Sequence, residues 1–512
     1  MGARHIMGWV LAAGLWALAA QGAQAQSVDR CAQLKSASIS GLSVTSAEAV
    51  SGQPSWSAPR QPSYNGTVSA PFCRVQGMIE GRIGIEVWLP PAARWNHRLL
   101  GAGVGGDAGV FNYTDMARGV QAGYAAASTD SGHKVSNLHW MLDPVAVEDY
   151  SQVAEHRMTE AAKSLVSVFY GQAVSHSYFL GCSGGGRQAL KEAQVYPDDY
   201  DGVVAGAGGP DMPTLSARHM WESLFQKSHP AGAMSDADWA KVSAAAIEAC
   251  DDADGVHDGV VENPAACRFD LSRLKCSTSS AGGCLSDDQL AVVRAIYSPL
   301  HDENGRTMDR GLFPGVRTRP GPPSPLLRAM FADGAYHDIN WDQHSFRVGA
   351  DLALANRLMP HLTTNNPDLK RFRAHGGKII LYQGWMDPSV IAQQSLDYYS
   401  AVQRANGGSK RTRQFARLFM VPGMFHCRGG AGPDSFGGSG DPQPVGDPDR
   451  DILSAAVRWV EEGHPPARLI AAKFEKGEAV RTRPLCPYPQ TARFDGRGDP
   501  NKASSFTCVA AR

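Results

Sequence analysis

Apolar and polar positions alternate over residues 73–78. They do so again over 83–89, where Ile83-Gly84-Ile85-Glu86-Val87-Trp88-Leu89 is stopped by Pro90-Pro91. A period of two is the mark of a strand. A third run starts at Arg98-Leu99-Leu100 and passes directly into a glycine-rich stretch, 101–109. Residues 124–130 and 178–182 read as further strands, with helical spacing over 153–170 between them. A helix-compatible stretch, 187–195, follows, and then a short apolar run, 201–208, that ends in glycines. Strand and helix in alternation predict a parallel sheet covered by helices. From 211 to 370 the rhythm is lost, and helical pieces at 236–249 and 287–297 stand among Pro- and Gly-rich loops. It resumes at 376–382, with a strand at 415–421 and a helix at 451–462. The expected organisation is an α/β domain formed by 26–210 and 371–512, interrupted by a lid domain, 211–370. Residues 26–70 have no clear period and read as irregular, and the C-terminal tail reads as a Pro-rich segment.

The first 25 residues change the picture of where the protein works. Arg4 and His5 precede a mostly apolar stretch, 6–20, and Ala23-Gln24-Ala25 is a small-x-small cleavage site. This is the layout of a signal peptide, and the apolar run is shorter than the ~20 residues a membrane span needs. The expected product begins near Gln26 and is secreted or periplasmic, with no membrane partner. All ten cysteines lie beyond that site. An even number of cysteines in an oxidising compartment reads as disulfides, and the absence of any Cys-x-x-Cys pair argues against zinc. Over 512 residues the net charge is −1, which gives no reason to expect nucleic acid as a partner.

The candidate chemistry centres on Gly181-Cys182-Ser183-Gly184-Gly185, between the 178–182 strand and the 187–195 helix. A bare Gly-x-Ser-x-Gly also describes a plain turn. The strand before it and the helix after it favour a nucleophile elbow, which lifts the Ser183 hydroxyl above the sheet. The following N–H, that of Gly184, can then face a developing oxyanion, and the glycine-rich loop after the third strand can supply a second donor. That loop lacks the spacing of a nucleotide-binding loop. A serine hydroxyl needs a base, and the base needs an acid to orient it, in the chain order Ser, acid, His. Asp387 and His426 follow two later strands in that order. Cys182 and Cys427 each adjoin one of these residues, so a bridge between them would hold nucleophile and base in register; a buried free Cys182 thiol is the alternative. In the lid, Asp251, Asp254 and Asp258 lie on one short loop between Cys250 and Cys267. Carboxylates and carbonyls in such a loop suit Ca²⁺, although a solvated acidic turn has the same composition.

These residues resemble one family, the tannases and feruloyl esterases, which also contains mono-hydroxyethyl terephthalate hydrolase. The resemblance runs from about Phe72 to Cys508. It rests on Gly-Cys-Ser-x-Gly-Gly-Arg around Ser183, Asn366-Pro367-Asp368-Leu369, Gly376-Gly377-Lys378, and Gly384-x-x-Asp387. It rests also on Pro422-Gly423-Met424-x-His426-Cys427 and Arg483-Pro484-Leu485-Cys486-Pro487-Tyr488-Pro489. It implies an α/β-hydrolase fold with a large lid, Ser183 as nucleophile, His426 as base and Asp387 as its orienter. It implies oxyanion donors at Gly184 and Gly106, and a Cys182–Cys427 bridge. By position it pairs the other cysteines as Cys31–Cys73, Cys250–Cys267, Cys276–Cys284 and Cys486–Cys508. It assigns the acidic loop a structural Ca²⁺ held by Asp251, Asp254 and Asp258 side chains and by the Val256 and Val260 carbonyls.

The chain departs from the family at the glycine-rich loop, where Val104 and Asp107 stand in place of Asn and Phe. It departs also at Val390, where the terephthalate enzyme has an aromatic clamp. The resemblance is weakest over 300–350, the part expected to meet the acyl group; Arg317, Arg319, Arg328, Phe331, Tyr336 and Trp341 are its candidate contacts. The expected activity is a serine carboxylesterase acting on small esters of aromatic, phenolic acids. The alternatives are a hydrolase of terephthalate-type monoesters and a non-catalytic polyphenol- or carbohydrate-binding relative.

Overall fold

A computed structural model describes residues 29–277, 283–318, 321–443 and 445–511. The expected signal peptide and Arg319 lie outside them. Nine strands form one mixed sheet: β1 (Leu42–Val50), β2 (Phe72–Ile79), β3 (Ile83–Leu89), β4 (Arg98–Ala102), β5 (Ala125–Thr129), β6 (His176–Cys182), β7 (Gly202–Gly206), β8 (Lys378–Gly384) and β9 (Ala416–Val421). Their order is β1-β2-β3-β5-β4-β6-β7-β8-β9. The first strands pair antiparallel, and from β5 onward every neighbour is parallel.

The helices used below are α1 (Tyr113–Gln121), α2 (Ala154–Tyr170), α3 (Gly184–Val195), α4 (Met212–Ser228), α5 (Asp236–Cys250), α6 (Asp287–Tyr297), α7 (Val348–Leu358), α8 (Ala392–Ala405) and α9 (Ile452–Glu462). Strand alternation sorts the core onto two faces. Tyr178 and Leu180 of β6 pack with Ile452, Ala456 and Trp459 of α9, while Phe179 between them packs with Ala189 and Leu190 of α3 and Leu396 of α8. Parallel strands buried on both faces, with helices over each, are what near-continuous apolar runs such as Val203-Val204-Ala205 require. This is the α/β-hydrolase fold.

Between β7 and β8 lie α4 to α7 and several loops. Part of this segment has its own core around Trp239 of α5 and Leu290 and Ile296 of α6. Another part shares a core with the loops of the sheet, where Met212, Phe331 and Trp341 pack with Val104, Trp140 and Tyr150. The segment is thus anchored to the loops that surround the elbow.

One expectation is corrected. Residues 26–70 are not irregular throughout, because β1 runs nine residues along β2. It is an edge strand with only Leu42 buried, and a register shift between Val44 and Ser46 breaks its alternation. A strand with so little apolar surface and an interrupted period gives no pattern signal. The tail is also ordered: Leu469–Glu475 pairs with Glu478–Leu485, and Gln490–Phe494 with Phe506–Ala510. Five disulfides close the described chain: Cys31–Cys73, Cys182–Cys427, Cys250–Cys267, Cys276–Cys284 and Cys486–Cys508. Among the described residues no helix is long and apolar enough to cross a membrane.

Candidate active site

Ser183 sits between the last residue of β6 and the first of α3 with φ +61° and ψ −126°, a strained conformation for a residue with a side chain. The turn closes only because its neighbours have no Cβ. One on Gly181 would lie 2.3 Å from the Gly185 carbonyl oxygen, and one on Gly186 would lie 2.0 Å from that of Gly206. Gly184 opens α3, so its N–H has no carbonyl partner within the helix and is available beside the serine.

His426 reaches this hydroxyl from the loop after β9, with Nε2 2.8 Å from Ser183 Oγ. Its Nδ1 lies 2.8 Å from Asp387 Oδ2, in the loop after β8. A carboxylate only accepts, so Nδ1 carries the proton and Nε2 is free to take the serine's. Asp387 is 1% exposed. Its Oδ1 accepts from the Ser389 and Val390 N–H groups at 2.8 and 2.9 Å, and its Oδ2 from Gln383 Nε2 at 3.0 Å. Gln383 is in turn held by Ser395 Oγ at 2.8 Å. Burial pushes the His426 imidazole down, but the Asp387 charge and hydrogen bond outweigh it and leave the pKa raised. The Cys182–Cys427 bridge ties the residue before Ser183 to the residue after His426. The three expected residues are therefore brought into one hydrogen-bonded chain. It can activate a hydroxyl for attack on a carbonyl.

The chain opens into a cavity of ≈ 590 Å³, whose lining includes Ser183, His426, Gly184 and Gly106. One wall is a stripe of α4: Met212, Leu215, His219 and Glu222. Spacings of three, four and three place these on one helix face, apolar at its start and polar at its end. His219 Nε2 bonds the Ser389 carbonyl at 2.9 Å, and Glu222 accepts from Arg218 Nε at 2.6 Å. Val390, Phe425, Arg317, Thr318 and residues 321–324 complete much of the rest.

Of the expected lid contacts, Arg317 lines the cavity. Phe331 and Trp341 are buried in the shared core, Tyr336 stacks on Trp341 at 5.3 Å, and Arg328 donates to the Ile339 and Trp341 carbonyls. The α4 stripe and Gln383 were not anticipated. Gln383 lies next to the Gly384-x-x-Asp387 motif, but nothing in α4 distinguishes a lining face from a core face before the chain is folded.

In the acidic loop, Asp251 accepts from the Gly259 and Val260 N–H groups at 2.7 and 3.0 Å, and Asp254 from Val256 N–H at 3.0 Å. Asp258 pairs with Arg483. Among the described residues no three acidic, histidine or cysteine side chains converge as a group ready to hold a metal. The donor set is nevertheless all oxygen and largely buried, and burial first, with Asp258 and Asp251 adding to it, pushes the Asp254 carboxyl up to about 6. Crowded, desolvated carboxylates are what a hard cation would relieve, so the donors fit calcium in kind.

A serine, histidine and aspartate joined at the carboxyl edge of a hydrolase sheet define a serine-hydrolase class of site. Comparison with known proteins narrows this. The family described as "Tannase and feruloyl esterase" matches residues 67–318 and 323–509. An uncharacterized esterase of Xanthomonas campestris pv. campestris is 34% identical over 486 residues, which cover 86% of this chain and 84% of that protein. A "Probable feruloyl esterase B-1" of Aspergillus terreus is 31% identical over 507 residues, covering 94% and 95%. The crystal structure of feruloyl esterase B from Aspergillus oryzae superposes with a TM-score of 0.89 at 29% identity, covering 94% of this chain and 100% of that one. The chain belongs to the tannase and feruloyl esterase family and is a carboxylic ester hydrolase.

Proposed function

We propose that this protein hydrolyses esters of aromatic, phenolic acids, as a feruloyl esterase or tannase does. The observation that carries the reading is the Ser183–His426–Asp387 chain opening into an apolar-walled cavity with a polar end. His426 Nε2 takes the proton as Ser183 Oγ attacks the ester carbonyl. The Gly184 and Gly106 N–H groups stabilise the oxyanion, and Asp387 stabilises the imidazolium. The tetrahedral intermediate collapses, His426 gives the proton to the leaving alcohol, and an acyl-enzyme remains. Water, activated by the same imidazole, releases the acid. Met212, Leu215 and Val390 suit an aromatic ring, and His219 and Glu222 suit its hydroxyl groups. The names of the Aspergillus relatives support the same acyl class.

Arg317 in the wall supports a second reading, an acyl group carrying a free carboxylate as in terephthalate monoesters. A non-catalytic binding relative is disfavoured by the complete hydrogen-bonded chain. In this reading 26–210 and 371–512 form the catalytic domain and 211–370 the lid. A structural Ca²⁺ would be held there by the Asp251, Asp254 and Asp258 side chains with the Val256 and Val260 carbonyls. Bound there, it would supply charge compensation to the loop and no chemistry to the ester. Five disulfides support an oxidising, extracytoplasmic location.

The test is a panel of methyl ferulate, methyl gallate, mono-hydroxyethyl terephthalate and p-nitrophenyl acetate, with Ser183→Ala as control. Ferulate or gallate turnover that the variant abolishes supports the reading. Preference for the terephthalate ester selects the second reading, and an inert protein selects the binding relative.

A further inference from the structure

The glycine-rich loop beside Ser183 carries no regular structure, yet side chains from five other places in the chain hold it peptide by peptide. Asn112 Nδ2 donates to the Gly103 carbonyl at 2.7 Å. Val104 N–H donates to Gln188 Oε1 at 2.8 Å. Gly105 N–H donates to the Tyr64 hydroxyl at 2.7 Å. The Tyr150 hydroxyl donates to the Gly106 carbonyl at 2.8 Å, and His133 Nε2 donates to the Asp107 carbonyl. Between the peptide held by Tyr64 and the one held by Tyr150 lies the peptide that carries the Gly106 N–H. Among the described residues that N–H has no protein acceptor.

One of these holds originates on α3, the helix that Ser183 caps, and a second is supported from it. Gln188 grips Val104 directly. Its neighbour Arg187, 1% exposed, grips the π-helical turn Asp149–Val153: Nη2 donates to the Tyr150 carbonyl at 2.7 Å and Nη1 to the Ser151 carbonyl at 3.1 Å. The guanidinium also lies over the Tyr150 ring, 4.3 Å from its centroid. A π-turn inside a helix costs stability and recurs at functional positions. Here it aims one buried phenol at the loop.

We propose that Tyr150 is a positioning residue for ester hydrolysis. It transmits the placement of the nucleophile helix, through Arg187, to the Gly106 peptide, so that hydroxyl and oxyanion donor move as one unit. The inference rests on the serine-esterase reading above. Oxyanion donors act by being preorganised where charge develops, so a loosened Gly106 N–H weakens the transition state and leaves substrate binding alone.

The experiment compares Tyr150→Phe and Tyr64→Phe with wild type and Ser183→Ala on an ester that the wild type turns over. Tyr150→Phe removes one oxygen and leaves the ring in place. Its kcat is expected to fall roughly ten- to a hundredfold, short of the ~10²–10³ for outright loss of an oxyanion donor, with KM unchanged. An arylboronic acid, which mimics the tetrahedral adduct, loses affinity by the same factor, while the product acid binds as before and the Tm holds. Tyr64→Phe, acting on the adjacent peptide, shows the same pattern and carries the test if Tyr150→Phe folds poorly. Wild-type kcat and boronate affinity in a folded Tyr150→Phe, or in Tyr64→Phe where Tyr150→Phe does not fold, overturn the proposal. So does a loss that product-acid affinity and Tm share equally, since that describes general packing. Undiminished activity in Ser183→Ala instead overturns the esterase reading beneath it.

Discussion

Ser183, Asp387 and His426 stand one, three and five residues beyond the ends of β6, β8 and β9, three neighbouring or near-neighbouring strands of one parallel sheet. The wall they face is carried by α4 and by residues 317–318 and 321–327, a Pro-rich stretch with no strand among its described residues. On the sheet side the supporting groups are densely held: Asp387 by three donors besides His426, and the Gly103–Asp107 loop by five side chains. On the facing side the described bonds are sparser: His219 Nε2 holds the Ser389 carbonyl, Glu222 accepts from Arg218 Nε, and Arg317 Nη2 donates to the Asp236 carbonyl at 3.4 Å. The family match itself breaks between 318 and 323, and Gly321 and Pro322 from that gap line the cavity. The strand edge is thus held by many more hydrogen bonds than the wall it faces, and the family match runs through the first and is interrupted in the second.

The largest effects should come from the strand edge. Ser183→Ala is expected to lower kcat by about 10⁶, and Asp387→Asn by about 10⁴, as removal of comparable groups does elsewhere. Single-turnover hydrolysis of methyl ferulate checks both. The aspartate variant also carries a pH signature. In the wild type the raised pKa of His426 puts the rising limb of kcat/KM above the ordinary ~6.5 of histidine, because the base works only unprotonated. Without the Asp387 charge, burial alone remains and pushes the limb below that value. A limb that stays in place would mean that the group titrating is not this imidazole.

Next in size is the Cys182–Cys427 bridge, which spans 245 positions. Replacing both cysteines by alanine should cost about 2–5 kcal/mol in guanidinium unfolding, with kcat falling as the elbow and the histidine loop lose register. Retained stability and kcat would show that packing alone holds the two loops together.

Smaller changes should follow on the facing wall. Leu215→Ala is expected to shift the ratio of kcat/KM for methyl ferulate over p-nitrophenyl acetate by about tenfold, with acetate turnover nearly unchanged. Equal losses on both esters would erase the distinction between the two sides of the cavity. The smallest effect lies farthest from the ester. Chelation by EGTA should lower the Tm by several degrees without altering kcat at a temperature where the fold persists. An unmoved Tm would remove calcium from the acidic loop.

Much of this was legible because it is local. Glycine at 181 marks the strained turn at Ser183 locally, since a Cβ there meets the Gly185 backbone, whereas the one at 185 answers the approach of the Gly103 backbone. Apolar runs such as 201–208 announce buried parallel strands, and the positions of Asp387 and His426 after two such runs suffice to nominate them. What escaped had no local mark. β1 was lost to an interrupted alternation on an exposed edge, and α4 carried a lining stripe indistinguishable in sequence from a core stripe.

The residues around the glycine-rich loop mark the division most clearly. Residue type at short spacing was enough to nominate the elbow, the order Ser183, Asp387, His426 and the parallel part of the sheet, while the antiparallel pairing of the first strands, which makes the sheet mixed, was not foreseen. Only the tertiary structure decided that Tyr64, Asn112, His133, Tyr150 and Gln188 converge on Gly103–Asp107, and that α4 turns Met212 through Glu222 toward the ester. A hydrogen bond between side chain and backbone needs one donor within about 3 Å and leaves no periodic trace, so its partners become known only when the fold places them together.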